Sequence, residues 1–109
     1  MEVKTDKING VDVIYLSGRM DASNAPEFDE KMKDVMEQAK GKIVVSLKEL
    51  EYVSSAGLRS FLAIAKEIKK KEGKLAFAEP TEQVFKVLKM SGLNTVLKIC
   101  SSMEEAMQE

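Results

Sequence analysis

The chain has 109 residues, 44% of them apolar and 32% charged, the balance of a folded globular protein rather than a disordered one. Its 17 basic and 18 acidic side chains leave a formal charge of -1, which gives no electrostatic footprint for DNA or RNA. With no histidine and a lone Cys100, it is barred from Ser-His-Asp and Cys-His chemistry, His-ligated metals, thiolate clusters and intrachain disulfides.

Length predicts one domain, residues 1–109, with one core. The longest apolar run, Phe61 to Ala65, is far short of a bilayer span, and Met1-Glu2-Val3-Lys4 is not a signal region. The expectation is a cytoplasmic protein without membrane insertion.

In chain order, Val3 to Lys7 reads as an edge strand. Asn9-Gly10 is a hairpin signal, because both residues accept positive φ. Val11 to Leu16 follows as a strand, apolar on both sides from Val13, which suits a central position. A helix is expected from Asn24, with Asn24 and Glu27 at capping-box spacing and Pro26 in the first turn. Phe28, Met32, Val35, Met36 and Ala39 form its buried stripe, and Gly41 ends it. Ile43 to Leu47 is a short strand.

A second helix begins around Ser55, with Leu58, Phe61, Leu62, Ala65 and Ile68 inward. Lys69 to Lys71 suit the negative end of its dipole, and Gly73 stops it. Leu75 to Ala78 is a strand, and Thr81 to Ser91 a helix with Val84, Val87 and Leu88 inward. Gly92-Leu93 reads as a left-handed cap with its apolar contact. Val96 to Ile99 is the last strand, with Cys100 a small core residue rather than a nucleophile. Ser102 to Glu105 is a capping box for a short helix carrying Ala106 and Met107.

The predicted order is ββαβαβαβα: a mainly parallel α/β sheet of four to five strands with about four helices, the first strand antiparallel near an edge. Partners of such sheets meet the carboxyl ends of the strands. Those ends are the loops Gly18 to Ser23, Lys48 to Ser55 and Ala78 to Thr81.

The most distinctive segment is Val44 to Arg59. A strand and its connection lead to Ser54-Ser55-Ala56-Gly57, small residues that leave a helix start open. Unpaired N–H groups and the positive dipole end there welcome an anion. A phosphoryl group on Ser55 would add about −1.5 to −2 charges. The simpler reading makes Ser54 or Ser55 an N-cap, and an exposed cap can also be a phosphoacceptor.

With Leu16-Ser17-Gly18-Arg19-Met20-Asp21-Ala22, this segment resembles the STAS domain of bacterial anti-sigma-factor antagonists. The likeness covers nearly the whole chain, down to the Ser91-Gly92-Leu93 turn. It implies a non-enzymatic binding module without cofactor or metal. Such a module binds an anti-sigma factor that is also a serine kinase, releases a sigma factor, and is switched off by phosphorylation and reset by a serine phosphatase. The acceptor position matches Ser55. Arg19, Met20, Asp21, Ser54, Ala56, Gly57 and Arg59 match the partner surface, and the family suggests a monomer when free.

Two departures stand out. Ser54 replaces the aspartate that many phosphorylated members carry, and so offers a second acceptor. Ser46-Leu47-Lys48 replaces a common Asp-Leu-Ser.

From the residues alone, Asp21 is equally a turn aspartate, Arg19 a partner for Asp21 or for an acidic protein, and Met20 more a packing residue than an anchor. Tyr52 and Val53 are expected in the interior. The alternatives are a non-switching STAS adaptor or scaffold subunit of a signalling or transport assembly, and a small enzyme or nucleotide-binding protein. The second lacks a GxxxxGK[ST] loop.

Overall fold

The computed structural model describes residues 1–38 and 41–108. Two strands, β1 (Glu2–Ile8) and β2 (Val11–Met20), form an antiparallel hairpin. Its turn is made by Asn9 and Gly10, at φ 51° and 80°, the left-handed pair that matches strand twist. Next come α1 (Ala25–Gln38), β3 (Lys42–Val53), α2 (Ser55–Lys70), β4 (Lys74–Ala78) and α3 (Glu82–Met90). A 3-10 turn (Leu93–Thr95), β5 (Ile99–Cys100) and α4 (Met103–Gln108) complete the described chain. The five strands lie side by side in sequence order, all neighbours after the hairpin being parallel. This is the expected ββαβαβαβα order, with five strands.

One face of the sheet is covered by α1 to α3, the other in part by α4. Ile14, Leu16, Ile43, Val45, Leu47 and Phe77 meet Phe28 and Met32 of α1, Phe61, Ile64 and Ile68 of α2, and Val84 and Leu88 of α3. Phe61 sits at the centre, its ring 5.7 Å from Phe28 and 4.9 Å from Phe77. Burying one such ring contributes roughly 1.5–3 kcal/mol. Alternate residues Val44, Ala76, Ala78 and Cys100 point the other way and meet Ala106 of α4. Cys100 is thus the small core residue expected of it, buried beneath α4.

Several expectations are corrected. β2 runs to Met20 and β3 to Val53, so half of the first anticipated loop and most of the second are strand. The reason is a double irregularity in β3. Tyr15 pairs with Ser46 but Ser17 with Glu49, and Gly18 pairs with Leu50 but Arg19 with Tyr52, so β3 carries an extra residue at each place.

On α2 the buried line is Gly57, Ser60, Phe61, Ile64 and Ile68, while Leu58 and Ala65 pack partly and Leu62 is half-buried. Ile64 takes the inward place given to Leu62. Val96 is 64% exposed, because it caps the 3-10 turn and the last strand starts only at Ile99. Asn24 does not close a capping box with Glu27; its side chain binds the end of β2. Of the α1 stripe, Phe28 and Met32 are buried, Val35 and Met36 pack partly, and Ala39 lies outside the described residues.

Thr81 and Ser102 cap the helices that follow them, Ser102 through its half of the expected capping box. Thr81 Oγ1 accepts from Val84 N at 3.1 Å, and Ser102 Oγ from Glu105 N at 3.0 Å. Gly92 is left-handed at φ 80°, with Leu93 packed against the core.

Candidate functional site

The carboxyl ends of β2 and β3 meet the start of α2. Ser54 N donates to Met20 O at 2.9 Å, which joins the two segments singled out above. Ser54 adopts an extended conformation (φ −90°, ψ 176°) as the α2 N-cap. Its Oγ accepts from Gly57 N at 3.4 Å, and its carbonyl from Leu58 N at 2.9 Å. Ser55 opens the helix and is exposed. Its hydroxyl makes no hydrogen bond to the described residues. The two serines are therefore distinct: one is engaged as a cap, the other faces solvent. Arg59, also exposed, stands one turn further on the same helical face.

Gly57 is buried. A Cβ there would lie 2.6 Å from Val53 Cγ2, 3.1 Å from Met20 Cγ and 3.2 Å from Met20 Sδ. Only a residue without a side chain lets α2 start this close to the sheet. Met20 is fully buried and Val53 is 2% exposed, so this pair forms the floor under the serines. Met20 and Gly57 thus shape the site from below, and Met20 presents nothing to a partner. Ala56 is half-buried beside the core.

Asp21 follows β2. Its Oδ1 accepts from Ser23 Oγ at 2.5 Å and Ser23 N at 3.0 Å, the arrangement of a turn aspartate. The Ser23 hydroxyl, then the Ser23 N–H, hold its carboxyl below the usual 3.8. Burial opposes this, while the Asn24 N–H and the Arg19 charge add to it. Asn24 stitches the segment together: its Oδ1 accepts from Asp21 N and its Nδ2 donates to Arg19 O, both at 2.9 Å.

Arg19 does not pair with Asp21. Its guanidinium lies 4.3 Å from the centroid of the Tyr52 ring, its direct neighbour on β3. Tyr52 is half-buried rather than interior, because the extra residue Glu51 re-aims it. Sequence reasoning missed Tyr52 and Asn24 as site residues, since neither the irregular register nor a side chain reaching back five residues leaves a periodic trace. Ser46, one of the departures, is 5% exposed between Tyr15 and Ala78, so it alters the interior and not the site surface.

A mainly parallel sheet with an antiparallel edge hairpin, and a small-residue helix start at its carboxyl edge, define a small mixed α/β domain. Residues 2–106 match the STAS domain family, and the chain belongs to it. It is 30% identical over 106 residues to BtrV of Bordetella bronchiseptica, named as an anti-sigma factor antagonist, covering 97% of this chain and 91% of that one. A crystal structure of a Thermotoga maritima protein, also described as an anti-sigma factor antagonist, superposes with a TM-score of 0.90 at 25% identity, over 97% and 92% of the two chains. The anti-sigma factor antagonist SpoIIAA in its unphosphorylated form shares the fold at a TM-score of 0.82 and 23% identity, over 97% and 93%. Among the described residues, no helix is long and apolar enough to cross a membrane.

Proposed function

We propose that this protein is an anti-sigma-factor antagonist acting as a single STAS domain. It binds an anti-sigma factor with serine kinase activity, frees a sigma factor, and is switched off by phosphorylation at Ser55. A serine phosphatase resets it. The observation that carries the reading is the exposed, unengaged hydroxyl of Ser55 at the start of α2, beside a Ser54 hydroxyl already used as a cap. BtrV bears the name of such an antagonist, and SpoIIAA is a protein of this fold with a distinct unphosphorylated form.

The physics of the switch is local. The first turn of α2 carries no acidic residue, so a dianion there meets the positive dipole end and no carboxylate on its own turn. The fold tolerates it. A partner surface matched to a neutral hydroxyl does not, because the added charge of about −1.5 to −2 must be desolvated and faced. Arg19, Asp21, Ser54, Ala56 and Arg59 lie around the rim and complete the contact surface, over Met20 and Gly57.

The test is a pull-down from native lysate with wild type, Ser55→Ala and Ser55→Glu as baits. A kinase-like anti-sigma factor held by the first two and lost by the third is the expected result. Equal partners on all three baits would transfer the lead to a non-switching adaptor, with Ser55 an ordinary helix residue.

A further inference from the structure

Arg19 and Tyr52 are direct neighbours across β2 and β3, and the next pair along is Met20 and Val53. Met20 and Val53 point into the core under α2, so Arg19 and Tyr52 project from the opposite face of the sheet. On that face α4 packs over Val44, Ala76, Ala78 and Cys100, lower on β3 to β5. At the strand ends Arg19 stays exposed and Tyr52 half-buried.

Arg19 acts on Asp21 through space but forms no ion pair among the described residues. The ion pairs formed among the described residues are Lys4–Glu2 and Lys7–Asp12, both on the β1–β2 hairpin. Asp21 Oδ1 accepts from Ser23, and its carboxylate is not within ion-pair distance of Arg19. Glu49 and Glu51 stand exposed at the two irregularities of β3, and neither is within ion-pair distance of Arg19. The Arg19 side chain is nevertheless held, by its stacking on Tyr52, and its carbonyl is held by the Asn24 amide.

We propose that the Arg19–Tyr52 pair is the charge-selecting contact of the partner surface, and that it receives an Asp or Glu side chain of the anti-sigma factor. This rests on the reading under Proposed function. A guanidinium over a ring face keeps N–H donors that the ring does not use, and these can meet a carboxylate. A side chain ordered before binding loses less entropy on binding. Arg and Tyr are also the residue types that dominate interface energetics. Lysine would serve less well, since it keeps the charge but has neither the fork nor the planar group.

The experiment is calorimetric titration of the anti-sigma factor recovered on the wild-type bait against Arg19 and Tyr52 variants of matched thermal stability. Arg19→Glu is expected to weaken binding by about tenfold or more. Arg19→Lys and Tyr52→Leu should each weaken it by roughly threefold to tenfold, and Tyr52→Phe by less than about twofold. An Asp or Glu to Lys change at the facing partner position should restore binding to Arg19→Glu. Wild-type affinity in Arg19→Glu, with Ser55→Glu still impaired, would overturn this inference and leave the antagonist reading standing. Failure of the wild-type chain to bind any anti-sigma factor would overturn both.

Discussion

Gly57 and Val53 approach so closely that a single methyl group does not fit between them: a Cβ on Gly57 would stand 2.6 Å from Val53 Cγ2. Val53 is β-branched and 2% exposed, so it has little freedom to turn aside. Gly57→Ala is therefore expected to lower stability by about 1–3 kcal/mol, even though alanine is the better helix former by about 1 kcal/mol. Urea unfolding checks this. A second change, Val53→Ala, should cost less in the Gly57→Ala background than in wild type, because it removes the obstructing methyl group.

The two serines should separate under mutation. Ser54→Ala removes a cap whose hydrogen bond is long, at 3.4 Å, and is expected to cost about 0.5–1 kcal/mol. Ser55→Ala should stay within about 0.5 kcal/mol of wild type. Phosphate incorporation should show the reverse pattern. Incubated with the cognate kinase and ATP and read by intact-mass spectrometry, Ser54→Ala should gain one phosphoryl group and Ser55→Ala none.

Asp21 makes a prediction about acid. Its carboxyl titrates lower when folded than its ordinary 3.8, chiefly because of Ser23. A depressed folded value means the unfolded chain binds the proton more readily. The contribution to stability is thus fully present above about pH 4 and is lost as pH falls through the lower folded value. Stability of Asp21→Asn, or of Ser23→Ala, should fall less steeply than wild type between pH 4 and 2 in denaturant titrations.

Cys100 is enclosed between the sheet and α4 and is fully buried. A thiol in such surroundings is inert until the fold opens. Reaction with a thiol reagent should be negligible in buffer and proceed at the global unfolding rate, giving a one-site probe of α4 undocking if it proves faster.

Much of the fold was legible because the periodic pattern is local. The Asn9-Gly10 turn, the Phe28–Met32 stripe and the caps at Thr81 and Ser102 each follow from residues within a few positions. The serine segment was legible too, as small residues opening a helix. What escaped reading was governed by the register between strands. Leu47, Leu50 and Val53 are all buried in one core although they stand three apart, an interval that alternation forbids in a regular strand. The exposed Lys48 and Glu49 then look like a loop, and the strand seems to end at Leu47. The same displacement carried Tyr52 out of the interior and under Arg19, a contact across 33 positions of sequence.

The surplus length of β3 also decides where this chain admits insertions and deletions. From Lys42 to Ser46 every residue is matched one-to-one with β4, and from Ile43 with β2 as well. Losing one residue there would reverse the facing of everything downstream, turning Val53 outward and the serines away from the rim. Lys48 and Glu51 are supernumerary against β2. Removing either would restore alternation at its own irregularity and leave Leu50 and Val53 facing inward. Sister sequences shorter by one or two residues in this strand can therefore keep the same rim, provided the gaps fall at those two positions.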